Sequence, residues 1–254
     1  MIAREEREYA LANTICTPSA FVTESFINEG QPSEKVCTVR LGVETKAFRP
    51  TIGTINARRA RLVSGAPLQI LNIGTFSFRK GMWDLAQVIK CLDPTQFRFR
   101  FVGAVAPEAA KLVSELNLLA EFVPSQPQSE LPNHYSWGDI FVLPTIEDGY
   151  QLVLAQANAA GLPIATTPNG AGRDLVIEGQ NGWVLSIRDP KALVTRLLWC
   201  DAHRGEVSDM VGKIYDDFKP RDWVDVAEDF EAMCYRRSNP STELSDVVRQ
   251  ISSR

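Results

Sequence analysis

From Leu68 onward, apolar residues come either in short continuous runs or in stripes spaced three and four apart. Leu68-Gln69-Ile70-Leu71-Asn72-Ile73 predicts a strand, and Leu85, Val88, Ile89 and Leu92 fall at i, i+3, i+4 and i+7, the stripe of a helix on a sheet. Phe97 to Val102 predicts the next strand, and Leu112, Val113, Leu116 and Leu119 the next stripe. Glu121-Phe122-Val123, Ile140 to Leu143, Ile164 to Thr167 and Gly182 to Leu185 predict four more strands, with a short helix from Ser129 to Trp137. An Ala-rich helix, starting near Gly149, runs towards Gly161. Strands and helices alternating in this way imply a parallel sheet covered on both faces, an α/β, Rossmann-like doubly wound fold. Asp189 followed by Pro190 marks a helix start, with Asp189 as cap and Pro190 at the first position. Two further helices are expected over 206–218 and 222–235, and a disordered tail over 237–254.

The first third of the chain is patterned differently. Residues 4–12 predict a short helix, Thr14 to Thr17 a strand, and Ala20 to Glu29 a helix capped by Ser19. Lys35 to Leu41 predicts another strand, followed by an extended Phe48-Arg49-Pro50. This is one βαβ unit without a sheet of its own. Residues 46–67 read as a linker, because 51–67 hold two glycines and no apolar periodicity. The basic cluster Arg58, Arg59 and Arg61 reads as a solvated charge run.

Composition narrows the function. A formal net charge of −4 with both signs interspersed argues against a nucleic-acid binder, which would carry a basic stripe. Five scattered cysteines without C-x-x-C spacing suggest thiols in a reducing cytosol, and two histidines leave little for a metal site, so none is expected. No apolar run approaches the roughly 18 residues of a membrane span, and the acidic N-terminus lacks the apolar core of a signal peptide. A cytoplasmic protein is expected, with a peripheral place at the inner membrane face left open.

Three loops carry candidate chemistry. Gly74 to Gly81 links a strand to a helix and holds Arg79 and Lys80, the fixed positive charge that diphosphate recognition needs beside free N–H groups. Read alone, it is more simply a tight turn with two solvated cations. Thr145 to Ala157 supplies Asp148 at an acidic helix start and Gln156 two turns in, groups suited to sugar hydroxyls and a ribose diol. Gly170-Ala171-Gly172-Arg173-Asp174 is the third loop, where Asp174 reads most simply as a helix cap. In a doubly wound sheet, loops after successive strands gather at one carboxyl edge. Together these three suit a ligand carrying both phosphates and hydroxyls.

These residues also carry a resemblance. The R-K-G loop, then E-D-G-Y-x-L-V-L-A-Q-A-x-A-A-G-L-P-I, then G-x-G-R-D-L-V-x-E-G-x-N-G-W-V, resembles the retaining glycosyltransferases of family 4 ("group 1"), which have the GT-B fold. The segment T-I-C-T-P-S-A-F-V-x-x-S-F, ending in L-G-V-E-T-x-x-F-R-P, looks like the end of that family's N-terminal domain. The resemblance implies a hexose transfer from a nucleotide-diphosphate sugar to a glycan or lipid-linked acceptor. It implies that Lys80 and Arg79 hold the diphosphate, and that Gly149, Tyr150, Gln151 and Leu152 offer backbone N–H groups. Asp148 would sit near the transferred sugar, Gln156 at the ribose, and Val123 and Pro124 at the base. Gly74, Thr75 and Asp174 complete the implied donor site, with no cofactor. The family's E-x7-E motif reads here as Asp148-x7-Gln156, and Thr75 stands where an arginine is common. Residues 1–45 would be a remnant of the acceptor domain, 68–220 the donor domain and 221–236 a helix crossing back. A chain that binds donor without transferring it alone, completed by a missing N-terminal domain or a partner chain, is the alternative. A GT-B epimerase or phosphorylase is a third.

Overall fold

The computed structural model describes residues 2–116, 118–217 and 221–238. Helix α1 (Ile2–Leu11) leads into β1 (Ile15–Thr17), α2 (Ala20–Asn28) and β2 (Val36–Thr38). The two strands pair in parallel, Cys16 beside Cys37, as a βαβ unit separate from the main sheet. Ser19 sits in the extended region and its Oγ accepts from the Val22 N–H at 3.3 Å, which is why α2 starts where it does.

The stretch read as a linker is ordered. Thr45–Phe48 forms a single helical turn, α3, in place of the extended segment expected, and buries Phe48. Ile52–Val63 forms a helix, α4, whose N-cap Thr51 accepts from the Thr54 N–H at 3.2 Å. Its inner face is Ile55, Arg58 and Leu62, at i, i+3 and i+7. The solvated-cluster reading is therefore wrong. Arg58 is 0% exposed and donates to the carbonyls of Ala160 (2.7 Å) and Tyr135 (2.8 Å). Burial pushes its pKa down to about 10. Arg61 donates to Asp139 Oδ1 at 2.5 Å, and Arg59 to Asp209 at 3.2 Å.

The main sheet holds β3 (Leu68–Ile73), β4 (Phe97–Val102), β5 (Ala120–Val123), β6 (Ile140–Leu143), β7 (Ile164–Thr166) and β8 (Gly182–Val184). All neighbours are parallel, in the order β5-β4-β3-β6-β7-β8. The chain works outward from β3 to β5, then returns beside β3 and works outward the other way. Between β3 and β6 the connections leave in opposite directions, and this reversal opens a crevice at the carboxyl edge. Helices α5 (Met82–Cys91), α6 (Ala110–Leu116), α7 (Leu131–Trp137), α8 (Leu152–Ala159), the short α9 (Gly172–Leu175), α10 (Pro190–Ala202) and α11 (Arg204–Asp217) complete the fold. Asp189 caps α10 through the Ala192 N–H at 2.9 Å, as its sequence predicts.

Helix α12 (Trp223–Ser238) runs three residues beyond the expected end, and the rest of the expected tail lies outside the described residues, as does Phe218. The segment before α12 touches the one leading out of the βαβ unit: the Val43 N–H donates to the Arg221 carbonyl at 2.8 Å. The approach is so close that a Cβ at Gly42 would collide with the Asp222 carbonyl. Among the described residues no helix is long and apolar enough to cross a membrane.

Candidate donor site at the carboxyl edge

The loops after β3 and β6 lie side by side. The Ile146 N–H donates to the Arg79 carbonyl at 3.0 Å, and the Arg79 guanidinium donates to the Glu147 carbonyl at 3.0 Å. Gly81 makes this approach possible. Its φ of 74° lies in the left-handed region, and a Cβ there would collide with the Pro144 carbonyl. Lys80 is thereby carried to Asp148, and its ammonium donates to Asp148 Oδ2. The two side chains are 17% and 14% exposed. Arg79 Nη1 stands 3.9 Å from the other Asp148 oxygen and is more open to solvent. Burial, then the Arg79 cation, lower the Lys80 pKa to about 8, with Glu147 opposing.

Asp148 does not lie at a helix start as expected. Helix α8 begins at Leu152, with Gln151 as its N-cap residue and no acid in its first turn. The carboxylate is held by a cation from another loop rather than by helix N–H groups. The far side of the loop is fastened by the segment after β7: Thr167 Oγ1 donates to the Thr145 carbonyl, and Asn169 Nδ2 to the Ile146 carbonyl at 2.8 Å. Gln151 returns the contact, its Oε1 accepting from the Ala171 N–H at 2.7 Å.

Gln156 is 7% exposed, and its Oε1 accepts from the Tyr135 hydroxyl at 2.8 Å. Its carbonyl end is thus bonded within the core, which its expected place on an open helix face did not foresee. Tyr135 is itself fully buried, and desolvation raises its pKa well above the ordinary phenol value. Asp174 lies at the edge, but neither as a cap of its own helix nor beside Lys80. Its carboxylate accepts from the Ala20 N–H at 3.1 Å, at the start of α2. The first part of the chain is bonded there at other points as well, with Arg173 donating to Glu24 at 2.6 Å. Ser19 Oγ donates to the Gly149 carbonyl at 2.7 Å, and the Tyr150 hydroxyl donates to the Leu41 carbonyl at 3.1 Å.

A cleft of about 390 Å3 opens beside these loops, lined by Gly74, Phe76, Gly103, Phe122, Val123 and Pro124 among others. Its floor is aromatic: Phe76 meets Phe101 and Phe122 edge-on at 5.2 and 5.3 Å, and those two stack at 5.1 Å. Gly74, Val123 and Pro124 were legible beforehand; Phe76 was not, because nothing in its spacing distinguishes it from core. Thr75 is exposed next to the cleft. A larger groove, of about 830 Å3, is lined by Trp183, Arg196, Trp199 and neighbours, and by none of the candidate residues. Among the described residues no three His, Cys, Asp or Glu side chains gather as a metal site.

A six-stranded parallel sheet with cationic and acidic loops at its reversal point defines the class, a doubly wound α/β domain. Residues 67–201 match the group 1 glycosyl transferases, and the chain belongs to that family. The sulfoquinovosyl transferase SQD2 of Arabidopsis thaliana is 25% identical over 219 residues, covering 84% of this chain and 42% of that protein. The D-inositol 3-phosphate glycosyltransferase of Corynebacterium urealyticum is 27% identical over 242 residues, covering 89% of this chain and 54% of its own length. The chain thus spans about half, or less, of the curated relatives it matches here. In fold it is similar to Anabaena Alr3699/HepE, whose crystal structure is a complex with UDP and glucose. The TM-score is 0.72 at 16% identity, over 88% of this chain and 63% of that one. The likeness bears out the expected fold, a doubly wound α/β sheet of the GT-B glycosyltransferase architecture.

Proposed function

We propose that this chain forms the donor side of a retaining hexosyltransferase, moving a sugar from a nucleotide-diphosphate donor to a glycan or lipid-linked acceptor. The observation that carries this reading is the meeting of the Arg79–Lys80 cations with the Asp148 carboxylate at the β3/β6 reversal. The aromatic-floored cleft opens at the start of the same β3 loop, beside Gly74, and runs on to Val123 and Pro124. The cleft takes the base, with Val123 and Pro124 offering backbone groups. Lys80 and Arg79 take the diphosphate, with Thr75 and the N–H groups of Gly149 to Leu152 beside them. Asp148 accepts from hydroxyls of the transferred sugar. The Gln156 amide nitrogen donates to the ribose, since its oxygen is bonded to Tyr135. Asp174 acts at one remove, by holding the βαβ unit against the edge.

In this reading the bond between the anomeric carbon and the diphosphate oxygen breaks while the acceptor hydroxyl attacks from the same face. Its proton passes to the departing phosphate oxygen. The two cations stabilise the charge that grows there, the role a divalent metal fills elsewhere. Residues 1–45 serve as the last unit of an acceptor-binding domain, and the working enzyme is cytoplasmic, at the membrane face where its acceptor is lipid-linked. The test is calorimetric titration with UDP, GDP and ADP. One of them binds, and Lys80→Ala weakens it; no heat with any of the three refutes the site.

A further inference from the structure

The ammonium assigned to the diphosphate already has a partner of its own charge complement. Lys80 is bonded to Asp148, and Arg79, the second cation, is drawn to the same carboxylate and tethered to the Glu147 carbonyl. Asp148 lies four positions before α8 begins, and its described hydrogen bond is the one from Lys80. A diphosphate that takes Lys80 therefore strands a half-buried carboxylate beside incoming negative oxygens. A nucleotide sugar repairs this loss, because its sugar hydroxyls donate to Asp148. A bare nucleoside diphosphate brings no such donor and carries one more ionisable oxygen where the sugar was attached.

We propose that Asp148 is a specificity-determining residue that competes with the diphosphate for Lys80, so that the site holds a nucleotide sugar in preference to the bare nucleoside diphosphate left after transfer. This rests on the donor-site reading above and adds a sign to it. A carboxylate that merely touches the sugar leaves the affinity for bare diphosphate unchanged when it is removed. A competing carboxylate, once removed, raises that affinity. Burial of Lys80 adds to the competition, since an ammonium short of water depends on whichever anion it keeps.

The experiment measures dissociation constants by calorimetry for UDP, GDP and ADP with the wild-type chain, Asp148→Asn, Lys80→Met and the double variant. Asp148→Asn is nearly isosteric, and Asp148→Ala serves as a second substitution. Thermal melts identify which chains are folded. The expected result is about tenfold tighter binding of the preferred diphosphate by Asp148→Asn, with no tightening in the Lys80→Met background. Unchanged or weaker binding by both Asp148 variants overturns the proposal. So does equal tightening with and without Lys80, which would make the effect one of overall charge. Wild-type binding that Lys80→Met weakens, without tightening by the Asp148 variants, overturns this inference alone. No binding by the wild-type chain removes the donor-site reading and this inference together.

Discussion

Two basic clusters lie 21 positions apart in the sequence, counting Arg58 to Arg79, and the fold uses them in opposite ways. Arg58 is enclosed and bonded to two backbone carbonyls, one at the end of α8 and one within α7. Carbonyls at helix ends are fixed, neutral overall, and have nothing better to bond in the core. Lys80 is partly open and bonded to a carboxylate on a neighbouring loop, with which a phosphate can compete. A buried cation is thus committed or exchangeable according to its partner rather than its own chemistry. The guanidinium suits the first task, presenting several donors in a rigid fork. The ammonium suits the second, as a compact charge whose proton is adjustable.

The sharpest break of this comparison is Arg58→Ala. It leaves two buried carbonyls without donors and should cost about 3–5 kcal/mol of stability. Chemical denaturation measures it, and the still-folded fraction should bind nucleoside diphosphate with unchanged affinity. Lys80→Ala is the reverse case. Losing a charged hydrogen-bond donor to phosphate, worth ~1.5–3 kcal/mol, should raise the dissociation constant roughly 10- to 100-fold. A pH titration sharpens the contrast further. Diphosphate needs the charged ammonium, whose pKa is lowered to about 8, so affinity should fall as the pH rises above that value. The fall is at most about tenfold per pH unit, and Lys80→Arg should abolish it, since a guanidinium stays charged. The smallest effect belongs to the bond that ends in the core beside Arg58: Tyr135→Phe removes the hydroxyl from Gln156 and should cost about 1 kcal/mol of stability.

The same contrast explains what the sequence made legible. Strands β3, β4 and β6 were found to the residue because each is rich in apolar residues, with arginines alternating in β4, and is closed by a glycine or proline. Helix α4 was missed because the middle position of its inner face is an arginine, which breaks the apolar stripe that marks a buried helix. That the candidate loops share one edge followed from βα alternation alone. The partner of Asp148 did not, because Lys80 lies 68 residues away and only the reversal of strand order brings the two loops together. Nor did Ser19 announce its bond to Gly149 across 130 residues; its capping of α2 was sufficient reason for a serine.

The chain passes between the βαβ unit and the main sheet near Gly42-Val43, and the segment at Arg221-Asp222 lies hard against that crossing. The Ser19–Gly149 and Asp174–Ala20 bonds fasten the same unit to the carboxyl edge, the first of them on the loop that carries Asp148. A bulkier residue at position 42 should therefore change the angle at which the two parts rest, and so the reach of the donor loop, without altering any group that touches the ligand.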